Sequence, residues 1–257
     1  IMINWQNIKE QLIYFLQDEV KKAGLDKVTV GLSGGLDSAV VTVLCKEAFK
    51  DNLNCVLMPS QFSSKQSSID AIELCKKFDI KYETISIAPM VEAFIPNMQD
   101  DKLRIGNFSA RMRMSTLYDV SAREKSLVVG TSNKSEILLG YGTMYGDTAC
   151  AINPIGQMYK SDEFEFARFL GVTDSIVNKA PSADLWEGQS DEDELGYSYK
   201  QMDEVLKELF EENKSANDLI SSGVDEKLVN MCVNRFKANE FKGKTPTIAK
   251  IEWSQCK

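Results

Sequence analysis

Apolar residues at Trp5, Ile8, Leu12, Phe15, Leu16 and Val20 recur every three to four positions and stop before Gly24. That spacing predicts an amphipathic helix over residues 4–23, with its apolar stripe turned to a core. The pattern then shortens. Compact apolar runs at 28–32, 55–58, 82–87 and 127–130 read as strands, and helical spacing near 38–49, 64–78 and 106–124 fills the intervals. Alternation of this kind predicts an α/β fold, a parallel sheet flanked by helices. From about Tyr159 the spacing is mostly helical, over 161–170, 198–212, 215–221 and 225–239. No linker separates the halves, so the expectation is one domain over 1–257, an α/β core to about residue 160 and a helical extension over about 161–257.

Ligands of parallel sheets bind outside the carboxyl ends of the strands, where Ser33, Pro59, Ser60, Ile87, Ala88 and Thr131 would gather. The first of these turns holds the densest chemistry. Residues 28–32 feed Ser33, Gly34, Gly35, Leu36, Asp37 and Ser38, where glycines allow a tight turn and the next helix opens at once. Backbone N–H groups and the positive end of that helix would cradle phosphate. Asp37 would repel the same phosphate unless a divalent cation bridged them. An ordinary strand-to-helix turn capped by Ser and Asp is the plain alternative, and the whole pattern disfavours it. No Gly-Lys-Ser or Gly-Lys-Thr follows the loop, and no Gly-x-Gly-x-x-Gly occurs, which excludes a Walker NTPase and a dinucleotide fingerprint.

Composition narrows the partners. A hydrophobic fraction of 43% and a charged fraction of 26% fit a globular chain, and no apolar run approaches a membrane span. The reading is cytoplasmic. A formal charge of −8 argues against nucleic acid, which needs a cationic field. Cys45, Cys55, Cys75, Cys150, Cys232 and Cys256 lack the short paired spacings of a zinc or redox site, so buried free thiols are expected. The chain has no histidine, so proton transfers fall to carboxylates, lysine, tyrosine or water.

Two segments resist a structural reading. Residues 140–148 are too rich in glycine to continue a helix and too aromatic for a plain linker. Residues 181–186 lead into an acidic run at 189–196, for which a solvated surface is the simpler expectation.

The loop from Ser33 to Ser38 resembles the pyrophosphate-binding loop of the N-type ATP pyrophosphatases, enzymes that adenylate an acid and release pyrophosphate. Later motifs are more selective. Gly130 to Glu136, Leu139 to Asp147, and Ile152, Asn153 and Pro154 resemble the signature region of ammonia-dependent NAD synthetases. Asn107, Arg111 and Arg113 match an Asn-x-x-x-Arg-x-Arg helix of that family, and residues 181–185 and 191–196 complete the order. The resemblance runs from about residue 5 to residue 245.

It implies an adenine-nucleotide hydrolase-like (Rossmann-like) fold, a homodimer, and ATP-dependent amidation of deamido-NAD by ammonia to NAD, AMP and pyrophosphate. By motif position, Gly31, Leu32, Ser33, Gly34, Gly35, Leu36, Asp37 and Ser38 would bind ATP phosphates. Asp37 and Glu136 would hold magnesium. Leu57, Thr131, Lys160 and Ser182 would complete the ATP site, and Asn107, Arg111, Glu194 and Lys242 would contact deamido-NAD.

The chemistry of these residues is coherent in its own right. Two anions must meet when a carboxylate attacks the α-phosphorus, and a divalent cation with Lys160 and Arg111 would relieve the repulsion. Ammonium must lose a proton to become a nucleophile, and Asp147 is the candidate to hold it and accept that proton. Glu136 has a plain alternative as support for a helix beginning near Asn133, and Lys160 and Arg111 have one as surface charges. Three positions depart from the family pattern: Met144 replaces a lysine, Ala151 an aspartate, and Phe241 the histidine of a His-Lys pair. Phe108, Met112, Leu117 and Tyr118 offer an apolar stripe for a dimer or for the core. Only 27 residues precede the first strand, so a built-in glutaminase is not expected. A GMP synthetase catalytic half and a nonenzymatic nucleotide-binding protein are the rival readings.

Overall fold

The computed structural model describes residues 3–182 and 189–252. Its first helix, α1 (Trp5–Lys22), buries Leu16 and Val20. The sheet follows as β1 (Lys27–Gly31), β2 (Leu53–Leu57), β3 (Tyr82–Thr84) and β4 (Ser126–Val128). All pairings are parallel, in the order β3-β2-β1-β4. The crossovers are α2 (Leu36–Phe49), α3 (Lys65–Lys77), α4 (Ala88–Phe94) and α5 (Lys102–Glu124). The third strand is shorter than the expected 82–87, because Ile85 and Ile87 continue hydrogen bonding to Leu57 and Pro59 outside the regular ladder.

Helix α2 is buried on nearly every face from Leu36 to Cys45. Helix α1 covers one side of it, and α7 (Lys160–Leu170) covers another. An all-round apolar helix belongs in an interior, and here the loop from Ser33 to Gly35 leads into the N-terminal end of that central rod. The loop therefore inherits the rigidity of the core.

A second apolar cluster lies away from the sheet. Helices α10 (Tyr199–Phe210), α11 (Ala216–Ser221) and α12 (Glu226–Asn239) bury Met202, Val205, Leu206, Leu219, Leu228, Val229 and Cys232. Leu139 from α6 (Lys134–Leu139) and Tyr159 join the same cluster, which fixes the helical extension against the end of the sheet. Short helices α8 (Asp174–Val177) and α9 (Asp191–Leu195) complete the chain.

Two expectations change. The acidic run is not wholly solvated, since α9 buries Asp191 and Leu195. The stripe on α5 is largely intramolecular: Phe108, Met112 and Leu117 pack against Val56, Met58, Ile87 and Val91, and Phe108 stacks on Phe94 at 4.6 Å. Tyr118 alone of the four stays exposed. Cys45, Cys55, Cys75 and Cys232 are buried free thiols and Cys150 is partly exposed, while Cys256 and residues 183–188 lie outside the described residues.

Candidate active site

The loop after β1 is shaped by what cannot fit beside it. Gly34 adopts φ +85°, and a Cβ there would stand 2.0 Å from the Ser67 carbonyl oxygen, so only glycine lets the turn rest on the start of α3. Ser38 Oγ accepts the Ser33 N–H at 3.1 Å and donates to the Gly35 carbonyl at 3.1 Å. The Gly35 N–H reaches Ser33 Oγ at 3.2 Å. Two loop amides are thus spent on hydroxyls, which leaves fewer of the successive N–H groups for the expected phosphate cradle. Gly35 caps α2 without any side-chain hydrogen bond, so the donors of its first turn are not covered by a cap.

Asp37 stands at the centre of a charged knot. Its Oδ1 accepts from Asn133 Nδ2 at 2.6 Å and its Oδ2 from Lys160 Nζ at 2.5 Å. Lys160 lies at the start of α7 with its side chain 3% exposed, which removes the surface-charge reading of that residue. Asn133 caps α6 and closes a capping box with Glu136. Glu136 therefore supports a helix, as its plain reading required, and also faces the cleft.

Glu163 sits one turn beyond Lys160, fully buried, with Oε2 at 3.6 Å from the Lys160 ammonium. Burial, then the Asp37 charge, pushes its carboxyl well above the usual range, and neither of its oxygens has a hydrogen-bond partner. Burial and Asp37 likewise raise Glu136 well above an ordinary glutamate. For Asp37 itself burial opposes the charge, but Lys160, Glu163 and Asn133 prevail and hold its carboxyl low. Burial also opposes charge on Lys160, and Asp37, Glu163 and Glu136 together raise it. The knot therefore holds a close Asp37–Lys160 pair and, beside it, two carboxyls whose charge burial opposes.

A cleft of about 630 Å³ opens beside this knot. Gly31, Leu32, Ser33, Gly35, Leu36, Asp37, Ser38, Leu57, Thr131, Lys160 and Ser182 all line it. Gly34 does not, being turned onto Ser67. Asn107, Asp147, Glu194 and Lys242 line the same cleft, so most residues chosen from sequence meet in one place.

Arg111 is the exception. It does not line the cleft, and its Nε donates to the Met144 carbonyl at 3.3 Å. The lining arginine of that helix is Arg113, two residues on, which donates to the Met58 carbonyl and to Ser63 Oγ, both at 3.1 Å. Helical geometry separates the two by about 200°, and the sequence spacing alone could have marked them as facing differently.

The aromatic-glycine segment forms the opposite wall. Gly140 ends α6 at φ +60°, and Lys242 Nζ holds the Gly140 and Gly142 carbonyls at 2.9 and 3.1 Å. Arg235 holds the Leu139 carbonyl at 3.1 Å, a cation the motif reading did not select. Asp147 Oδ1 accepts the Thr143 N–H at 2.8 Å, and Thr143 Oγ1 donates to Asn107 at 2.7 Å. Asp147 remains exposed to the cleft. Tyr141 donates to Glu194 at 2.8 Å and to Asp191 at 3.0 Å, which ties α9 to this wall. Asn133, Glu163 and Arg235 are the members sequence reasoning missed. Asn133 was legible as the start of an Asn-x-x-Glu capping box, and Glu163 as a residue one helical turn from Lys160.

Among the described residues, no group of three or more acidic, Cys or His side chains is arranged to hold a metal by itself. Nor is any helix among them long and apolar enough to cross a membrane.

Known proteins share this arrangement over nearly the whole chain. The chain is 51% identical to an NH3-dependent NAD+ synthetase of Wolinella succinogenes, covering 97% of this chain and 98% of that one. A solved NH3-dependent NAD synthetase of Campylobacter jejuni, in complex with nitrate, superposes with a TM-score of 0.82 at 43% identity over 96% of this chain and 100% of its own. An NMN synthetase of Francisella tularensis gives 0.87 at 32% identity, over 97% and 100%. Residues 8–246 match the NAD synthase family, and with the loop, the charged knot and the aromatic-glycine wall in one cleft, the chain belongs to that family.

Proposed function

We propose that this protein makes NAD by amidating deamido-NAD with ammonia at the expense of ATP, releasing AMP and pyrophosphate. The observation that carries the reading is the near full-length identity to NH3-dependent synthetases, joined to a phosphate loop whose aspartate and lysine are paired at 2.5 Å. Family membership sets aside the GMP synthetase reading.

The chemistry follows from the cleft. ATP phosphates lie along residues 31–38 and against the first turn of α2, with Leu57, Thr131, Lys160 and Ser182 around the nucleotide. Asp37 and Glu136 are the residues that would hold magnesium. Two carboxylates beside a phosphate loop suit an ion that takes few protein ligands and completes its shell with phosphate oxygens and water. That ion would neutralise charge on the leaving pyrophosphate. Lys160, at the start of α7 and lining the cleft, would present its ammonium to phosphate. Positive charge held there would favour the ionised forms of Glu136 and Glu163, which burial opposes.

Asn107, Glu194 and Lys242 position the dinucleotide, and Arg111 acts on it through the Met144 loop. Asp147 holds ammonium at the cleft mouth and takes the proton lost as nitrogen attacks the adenylate. The enzyme works as a homodimer in the cytoplasm, with one domain over 1–257 made of the core to about 160 and the extension beyond.

Incubating the protein with deamido-NAD, MgATP and ammonium chloride is expected to yield NAD, AMP and pyrophosphate in equal amounts. ATP binding with no pyrophosphate release would favour the nonenzymatic reading. A second substrate reading has one observation behind it: the fold superposes better on the NMN synthetase than on the NAD synthetase, 0.87 against 0.82. Competition between nicotinate mononucleotide and deamido-NAD in one assay decides it, and preferential consumption of the mononucleotide would overturn the dinucleotide reading.

A further inference from the structure

The phosphate loop has two sides, and the known chemistry of the knot accounts for only one. On the Asp37 side stands Lys160. On the Gly34 side the loop rests on the Ser67 carbonyl, and the hydroxyl of that same Ser67 accepts a hydrogen bond from Lys179 Nζ at 2.6 Å. Lys179 follows α8 and precedes Ser182, and it lines the same cleft. Its side chain is 30% exposed, and Asp70, 1% exposed, stands behind it at 4.0 Å.

We propose that Lys179 is a second phosphate-binding cation, flanking the loop opposite Lys160 and parked on Ser67 and Asp70 until the nucleotide arrives. The inference rests on the ATP site proposed above. An ammonium has more donors than this pair uses, so Lys179 can turn to a phosphate oxygen. The other cations of the cleft are committed elsewhere. Arg113 holds the Met58 carbonyl, while Arg235 and Lys242 hold carbonyls of residues 139–142 on the far wall. A polyphosphate entering beside the Asp37 carboxylate gains from positive charge on both flanks of its cradle, and Lys179 is placed to supply the second. A lysine that merely stapled α3 to the segment after α8 would depend on Ser67; a phosphate ligand would not.

MgATP titrated calorimetrically into the full-length protein without a nicotinate substrate tests this with no turnover. Lys179→Met is expected to weaken ATP binding by threefold or more, roughly tenfold for a lost charge-assisted contact, and Lys179→Arg to recover most of it. Ser67→Ala, which keeps the cation and removes its hydroxyl partner, is expected to stay within twofold of the wild type. An effect of Lys179→Met below threefold, or an equal loss in Ser67→Ala, overturns the proposal. Melting curves of all three variants confirm that folding is intact. Failure of the wild type to bind MgATP would overturn the ATP site itself, a result distinct from normal binding by both wild type and Lys179→Met.

Discussion

At the scale of the residue, Asp37 and Lys160 show why a buried charge pair need not hold a protein together. Removing one partner from such a pair is ordinarily costly, because the other is left buried and unpaired. Here Glu163 stands 3.6 Å from the Lys160 ammonium and Glu136 faces the same knot, so two further carboxyls remain beside the lysine when Asp37 is replaced. Asp37→Asn is therefore expected to lower pyrophosphate release by about a hundredfold or more while the melting temperature stays within a few degrees. A collapse in stability with Asp37→Asn would show that these two carboxyls do not compensate. Asp147→Asn is expected to raise the ammonia KM and leave the KM for ATP in place; unchanged ammonia kinetics would remove Asp147 from the role. The sequence exposed Asp37 because an aspartate contradicts a phosphate loop, whereas Glu163 carried no such contradiction and became visible only when α7 placed it beside the knot.

At the scale of the element, caps and anchors decide how the cleft walls meet. Gly140 ends α6 in a left-handed turn, and a Cβ there would meet Asn239 Cβ of α12 at 2.0 Å. Gly140→Ala is expected to cost about 2–4 kcal/mol, combining backbone strain with overpacking, read as a lower urea midpoint. Asp203 anchors α10 by accepting from Ser135 Oγ at 2.5 Å and the Ser161 N–H at 2.8 Å. Burial raises its carboxyl above the ordinary 3.8 despite those bonds. Its folded pKa thus exceeds the unfolded one, so its contribution is full below 3.8 and is lost as pH rises through the folded value. Against Asp203→Asn, wild-type stability is expected to decline over that window, and a gap that stays flat with pH contradicts the assignment. Helical spacing located α1, α2, α3, α5, α7, α10 and α12, each eleven residues or longer, and also the six-residue α11. The short α4, α8 and α9 lack the length for a period to register. For α9 the acidic sequence also pointed to solvent, whereas Asp191 is buried beneath the hydroxyls of Tyr141 and Tyr199.

At the scale of the whole molecule, one cleft joins the end of the sheet to the helical extension, so nucleotide binding and global stability should be linked. Saturating MgATP is expected to raise the melting temperature, by a free energy that grows with the logarithm of its concentration; no shift would argue against an ATP site between these layers. Burial pushes the Cys45 thiol well up and the Cys232 thiol to about 12. Native labelling with iodoacetamide is therefore expected to spare both and to reach the part-exposed Cys150 first among the described cysteines, with all reacting on denaturation. Light scattering is expected to give the mass of a dimer. Most of the apolar α5 stripe is already inside the monomer, and only Tyr118 of its four members is exposed.

The sequence by itself determined the parallel α/β core, the glycine turn after the first strand and the family, since strand periodicity, a glycine turn and ordered motifs are local signals. Only the tertiary structure decided which side chains face the cleft. It put Arg113 on the lining and Arg111 behind Met144, joined Asn133 to Asp37 across 96 residues, and set Glu163 under the Lys160 ammonium. The physical reason is that a local pattern gives a residue's position on its own element, whereas its charge state and partners depend on what other elements bring within a few ångströms and on how far water is excluded.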